Sequence, residues 1–553
     1  MTKHSKYKSR LLYYYFFYHR NLNFLYLLLL ELMKNKIIVI LIFILIKDNL
    51  WANKQYENTI KQTYSLLDYG AVGDGTKDDS QAFIRALESI DKTLTKKLII
   101  PDGYFFNLSN KNFDLTKYSK GIILEFQGGI IMNATLKGNQ TKIKAERIKL
   151  FDNINLSGSF SSLSDYAYPE WMGIFPNDNT IDLADGIKKL SPVFFDISLG
   201  TGDYYTRKGE IPVNGLKGVS MAGTRVIMET DKSNTYLFSL GKIGGTVKER
   251  TYNYNYIRDV NLFITTKTNT TKLKGNRGII VGAVHKPLLE NVRIQQSFGY
   301  QMFVKSDLYD FLKNENKVQD ANVGIDFHGD SEVSKLSNIF TIADIGIMFS
   351  QYTDFVNITD FMNWCGPFGL ANVYFKKEAV QSQNLLFTGS QSWNQGLYGL
   401  YSEDSNLWNS FRNNKFENLR IEQLTADITQ NGKVVSTSIR IGKSNLIANL
   451  MFENIILSGA SNGIYIGETT SGNLYFDNVV LYPDTAIKRE FAIKSKFLKP
   501  STSPYETPFK IHLKNVDLYN DTESYFENSD LKQSRSSLPS KDNRFTEAVI
   551  SYQ

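Results

Sequence analysis

A chain of 553 residues with a single cysteine, Cys365, cannot hold an intramolecular disulfide framework, and a cysteine-based zinc cluster is excluded with it. Asn-Gly and Asp-Gly pairs flanked by strand patterns are scarce, which argues against a sandwich built from hairpins. No heptad run is visible, so no coiled-coil stalk is expected. Basic charge is also missing from most of the chain. The net charge is +7, but residues 1–52 hold eight Lys/Arg against two Asp/Glu, which leaves the remainder near neutral. A nucleic-acid partner, which would require a basic surface, is not expected.

What is present begins with a leader. Residues 1–32 are basic and rich in Tyr and Leu, and are expected to be an upstream extension outside the mature protein. From Met33 a short basic stretch leads into ten apolar residues, 37–46, and then into Leu50-Trp51-Ala52. That is the order of a signal peptide over 33–52, with cleavage after Ala52. Ten apolar residues cover about half a bilayer, so no membrane span is expected in the mature chain. The protein is therefore expected to be secreted, periplasmic or at the cell surface. An exported chain without disulfides needs a large core of its own, and about 500 residues can supply one. Aromatic residues, 13% of the chain, suit both a stacked core and sugar-binding platforms.

Residues 68–79 read Asp-Tyr-Gly-Ala-Val-Gly-Asp-Gly-Thr-Lys-Asp-Asp. Gly70, Gly73 and Gly75 permit a tight irregular turn. Asp78 and Asp79 stand where carboxylates cap a helix. Ala82, Phe83, Ala86, Leu87 and Ile90 then recur at helical spacing, and residues 98–100 form a short apolar strand before a Pro101-Asp102-Gly103 turn. This arrangement resembles the N-terminal signature of the pectate lyase superfamily, which is also found in glycoside hydrolase family 28-like proteins and phage tailspikes. The resemblance implies an all-β fold, a right-handed single-stranded parallel β-helix (a solenoid) with an N-terminal capping helix. The motif is architectural in that family, so Asp74, Asp78 and Asp79 are read as turn and cap residues. It spans well under a tenth of the chain.

A weaker copy follows in Pro169-Glu170-Trp171-Met172-Gly173, with Asp182, Ile187 and Leu190 at helical spacing and Gly202-Asp203-Tyr204 after them. Residues 53–230 are thus expected to hold the cap and first coils with a degenerate duplicate of the motif. Residues 231–520 are expected to be the β-helix body, and 521–553 a polar C-terminal tail. In the body an Asn recurs before short apolar strands, at Asn291, Asn338, Asn357, Asn384, Asn418, Asn454, Asn478 and Asn515. Asn tolerates the left-handed backbone of a tight corner, and stacked Asn amides can bond from coil to coil.

A β-helix buries one parity of each strand and displays the other, where an extended sugar chain can lie. In Ile325-Asp326-Phe327-His328-Gly329-Asp330 the apolar residues claim the interior, leaving Asp326, His328 and Asp330 outward. In Leu419-Arg420-Ile421-Glu422 the same parity turns Arg420 and Glu422 outward. Glu422 is the leading catalytic candidate, with Asp326, Asp330 or Asp404 as its partner carboxylate and His328 beside them. The insertion between Asn384 and Asn418 carries Trp393, Tyr398, Tyr401, Glu403, Asp404 and Trp408. Its Trp393, Tyr401 and Trp408, with Arg420, are the expected substrate-binding residues. The Asn-Thr-Asp and Gly-His-Gly segments of family 28 polygalacturonases do not occur here. No metal site or cofactor is expected; calcium would enter only with a lyase. Three readings stay open for a polysaccharide partner: a glycoside hydrolase, which is favoured, a polysaccharide lyase, and a non-catalytic binding or adhesin β-helix.

Overall fold

The computed structural model describes residue 47 and residues 64–552, apart from 267–272, 297–302, 367, 395, 406–410, 424–428, 431–432, 435, 460–461, 483–489, 501–506, 519–524 and 529–543. Apart from Lys47, the proposed leader lies outside the described residues, as does Trp408. Strand pairing is parallel almost throughout, and each strand pairs with one a full coil away. Leu289, Leu336, Ile358, Phe387, Phe416 and Phe452 thereby stand one above another, all buried. Coils run from 19 to 47 residues, because loops of different length leave the corners at different places. This is a single-stranded parallel β-helix, right-handed as crossovers between parallel strands are.

Alternation explains the interior. Within each strand one parity is apolar and packs inward, and the next coil repeats it in register. Stacking is closest where the repeated residue is Phe: ring centroids lie 4.6 Å apart for Phe387–Phe416, 5.1 Å for Phe416–Phe452 and 5.3 Å for Phe452–Phe476. One continuous core extends from Leu66 to Ile550.

Corners follow the Asn pattern with two corrections. Asn291, Asn338, Asn418, Asn454 and Asn478 adopt positive φ at one corner. The amide of Asn338 donates to Asn291 at 2.9 Å, that of Asn454 to Asn418 at 3.1 Å, and that of Asn478 to Asn454 at 2.8 Å. Asn357 is not in this column. It opens a strand opposite Lys335, and Asp360, with φ 55°, makes the corner instead. Asn384 belongs to a second corner column, shared with Asn413 and Asn449. Asp and Asn both tolerate left-handed backbone, so pattern alone could not choose between neighbours.

The N-terminal motif folds into a 3-10 turn at Leu66–Tyr69, a left-handed Gly70 and a helix at Ser80–Ile90, here α1. Six residues of α1, Ser80, Ala82, Phe83, Ala86, Leu87 and Ile90, are buried. Asp79 is 2% exposed and makes no side-chain cap bond; its oxygens accept from Val72 N at 2.7 Å and Gly73 N at 3.1 Å, pinning the glycine turn. Gly73 needs its missing side chain, since a Cβ would fall 2.8 Å from the Tyr104 ring. The second segment repeats this order, with a 3-10 turn at Pro169–Met172, a left-handed Gly173 and a helix at Leu183–Leu190, α2. Within the segment expected to be a polar tail, Arg544–Ser551 form a strand antiparallel to Lys510–Asp517, with Phe545 and Ile550 buried against the last coil.

Candidate functional site

Strand parity turns Asp326 outward, but protein covers it. A helix at Lys305–Lys313, α3, and a 3-10 turn at Glu315–Asp320 lie over that face. Phe303, Leu308, Phe311 and Val318 join Met348, Tyr374, Tyr398 and Tyr401 in a second apolar cluster there. Asp326 is 1% exposed, with Arg277 Nε at 3.0 Å, Ser350 Oγ at 2.6 Å and His328 Nδ1 at 3.6 Å. Burial pushes its carboxyl up, but His328, the Arg277 charge and the Ser350 hydroxyl outweigh it and hold it below the ordinary range. It is a buried polar staple out of reach of a substrate chain.

The cover also corrects Tyr401, which is 1% exposed. Its ring stacks on Tyr374 at 4.9 Å, its hydroxyl donates to Glu315, and the Arg440 guanidinium lies over it at 4.5 Å. Trp393 is corrected by parity: it shares an inward column with Ile421 and is fully buried against Phe361, Phe387 and Phe416. Asp404 is exposed, 3.7 Å from Arg440 and accepting from Lys443 N at 2.9 Å. Glu422 faces outward as its pattern implied, 3.3 Å from Arg420. Its register neighbours on adjacent coils are Asn394 and Ser458, so no carboxylate stands beside it in its column. Asp326 belongs to another column, between Ile280 and Met348. The expected Glu422 pairing therefore does not assemble with Asp326.

Asp330 does enter a cluster, with residues that the sequence reading passed over. Beyond Phe327 the chain turns a corner, and the two-residue strand Ser331–Glu332 pairs in parallel with Thr353–Asp354. Single bridges continue this narrow ladder from His285 to Glu332, from Asp354 to Gln383, and from Gln383 to Arg412. His285, Glu332, Asp354, Gln383 and Arg412 thus form an outward polar row, one per coil, about 4.8 Å apart along the helix axis. None of the five is fully buried. A signal for it exists in the sequence: Ser331-Glu332, Thr353-Asp354 and Ser382-Gln383 repeat a small hydroxyl residue followed by a polar one, five residues before an inward Leu336, Ile358 or Phe387.

The row is tightly wired. Arg250, its side chain 8% exposed, donates from Nη2 to Asp330 Oδ1 at 2.7 Å and from Nη1 to Glu332 Oε2. His285 Nδ1 lies 3.6 Å from Glu332 Oε2. The second oxygens, Asp330 Oδ2 and Glu332 Oε1, accept no hydrogen bond from the described residues. Asp354 accepts from Tyr352 Oη at 3.3 Å, Gln383 Nε2 at 2.8 Å and Asn384 Nδ2 at 2.9 Å. Burial, the Asp354 charge and hydrogen bond, and the charge of Asp330 push the Tyr352 phenol up to about 12, so it stays a neutral donor. Two widely exposed rings, Tyr252 and Tyr254, stand at the His285 end, with Tyr252 5.7 Å from the imidazole. Among the described residues no group of three His, Cys, Asp or Glu side chains could hold a metal ion, and no helix is long and apolar enough to cross a membrane.

No family model matches the chain, and neither does any curated protein. Several solved structures resemble it distantly. PfbA, a surface adhesin of Streptococcus pneumoniae, is 12% identical over 84% of this chain and 92% of that one, with a TM-score of 0.29. A family 28 exopolygalacturonase of Yersinia enterocolitica is 11% identical over 84% and 79% of the two chains, with a TM-score of 0.26. The pre-mature gene product 12 of bacteriophage phi29 is 13% identical over 86% and 60%, with a TM-score of 0.32. At such scores these likenesses carry no argument about the chemistry of the polar row.

Proposed function

We propose that the protein is an exported glycoside hydrolase that cleaves an extended polysaccharide laid along the row from His285 to Arg412. The observation that carries this reading is the set of three carboxylates, Asp330, Glu332 and Asp354, brought together on two consecutive coils. Glycoside hydrolysis through an oxocarbenium-like transition state uses one carboxyl group to protonate the leaving oxygen. A second carboxylate, on the other side of the bond, activates water or attacks the sugar. Glu332 suits the second role: its carboxylate is ion-paired with Arg250 through Oε2, and Oε1 accepts no hydrogen bond from the described residues. Asp354, whose partners Tyr352, Gln383 and Asn384 are neutral donors, suits the first. The glycosidic C–O bond breaks as the Asp354 proton passes to the departing sugar oxygen, water gives its hydroxyl to the other fragment, and the carboxylate pair takes up the water's second proton, which restores the acid. Glu422 with Arg420, and Asp404, lie outside this row and take no step in the proposed reaction.

A non-catalytic glycan-binding role is the second reading, favoured by the grip of one arginine on both Asp330 and Glu332. The two separate on Glu332→Gln. Removing a general acid or base typically costs about 10² to 10⁴ in rate, so reducing-sugar release should nearly vanish while the melting temperature and polysaccharide binding stay close to the parent's. A parent protein that binds polysaccharide and releases no reducing ends supports the binding role instead. Ultraviolet absorbance from an unsaturated product would replace hydrolysis by elimination.

A further inference from the structure

Beside the polar row runs a second column of residues in left-handed backbone, one per coil: Lys286, Val333, Phe355, Asn384, Asn413 and Asn449, with φ between 51° and 63°. Each of the first five donates its backbone N–H to a carbonyl one coil on, as Val333 N does to Asp354 O at 3.0 Å and Phe355 N to Gln383 O at 3.2 Å. Three of the six corners use Asn, the residue that accepts this conformation at least cost after glycine. Lys286, Val333 and Phe355 do not fit that rule, and the last two are the apolar ones. Among the described residues Val333 is the single β-branched side chain with positive φ, a conformation that such side chains resist.

Packing does not explain the choice. Phe411 also has positive φ, but it is 1% exposed and meets Phe375 edge-on at 5.2 Å, so burial offsets its strain. Val333 is 39% exposed and Phe355 is 52% exposed, so little burial offsets theirs. They occupy the two coils that carry Glu332 and Asp354, and each directly follows its acid in sequence. Strain retained without a packing return, beside candidate catalytic groups, is what a ligand contact leaves behind in the unliganded protein. Two apolar side chains set among hydrogen-bonding neighbours make far too small a patch for a protein partner. They match a sugar ring, which has an apolar face and a hydroxyl-bearing rim.

We propose that Phe355, supported by Val333, is the platform on which a sugar ring rests by its apolar face, so that the adjacent bond meets Glu332 and Asp354. Their strained backbone is kept for that contact. The inference rests on the polysaccharide reading above, but its test is independent of cleavage. The variants are Phe355→Asn, Val333→Asn and Phe355→Tyr, each compared with the parent protein in thermal melts and in affinity electrophoresis against laminarin, xylan, polygalacturonate and alginate. Both Asn variants should melt higher than the parent, since Asn relieves the strained corner. Phe355→Asn should weaken binding to the retained polysaccharide on the order of tenfold, and Phe355→Tyr should restore binding without the gain in melting temperature. Stability rising while binding falls is the signature that a purely structural role cannot give. Unchanged binding in Phe355→Asn, with the parent still binding, overturns the platform and leaves the hydrolase reading standing. A parent protein that binds none of the four polymers overturns both. Conversion of a dimer to a monomer by Phe355→Asn, read by sedimentation, would assign the patch to a second copy of the chain and overturn the sugar contact.

Discussion

Asp326 is an ionisable side chain sealed beneath protein, and its fate under acid follows from its partners. Burial alone would raise its carboxyl, yet His328, Arg277 and Ser350 hold it below the ordinary range. A carboxyl whose folded value lies below its unfolded value stabilises the fold above that unfolded value, near pH 4. The contribution is then lost as pH falls through the folded value. Arg277→Gln should therefore shift the acid-unfolding midpoint to higher pH, and removing one member of a buried pair should cost about 3 kcal/mol at neutral pH. Circular dichroism melts between pH 2 and 7 measure both, and an unshifted acid midpoint would contradict the argument. The outward parity of Asp326 and Glu422 was legible from the flanking Ile325, Phe327, Leu419 and Ile421. Whether solvent reached either residue was not, because the covering residues lie elsewhere in sequence.

The covering element itself, residues 303–322, shows how one coil is enlarged without disturbing its neighbours. Both ends are held by one buried side chain. Asp344, 0% exposed, accepts from Phe303 N at 2.6 Å and from Asn322 N at 2.9 Å. At its middle Glu315 takes the Tyr401 hydroxyl and lies 3.7 Å from Arg440. Asp344→Ala removes the carboxylate that accepts from these two backbone N–H groups, at about 1.5–3 kcal/mol for each hydrogen bond to a charged group. Hydrogen exchange should then rise within residues 303–322, while the stacked strands beneath keep their protection. Uniform protection across the cover would show that its apolar face alone holds it down. No local pattern announces this element, since α3 has only Leu308 and Phe311 buried and reads as a short polar helix.

Across the whole molecule the stabilising unit is the column, in which each inward side chain touches its equivalents one coil above and below. Stability in such a solenoid is close to a sum over neighbouring coils. Phe416 is fully buried between Phe387 and Phe452. Phe416→Ala opens both interfaces at once and should cost about 3–5 kcal/mol in denaturant unfolding. A cost below about 1 kcal/mol would mean that the stack relaxes around the gap.

The amino-acid order specifies what local chemistry can specify. It sets the helix and glycine turn of the N-terminal motif, the inward and outward parity of the strands, and the habit of turning corners at left-handed Asn, because each depends on residues within one turn or strand of one another. Coil length varies from 19 to 47 residues, and that variation hid the rest. Contacts between distant segments settle that Asp360 rather than Asn357 makes its corner, that Trp393 points inward, and that a distant helix closes over Asp326 and Tyr401. The meeting of Glu332 and Asp354, 22 residues apart in sequence, likewise depends on register: Ser331 must pair with Thr353 for the two acids to stand side by side. Register between coils is set by the whole inward column, and no short stretch of sequence contains it.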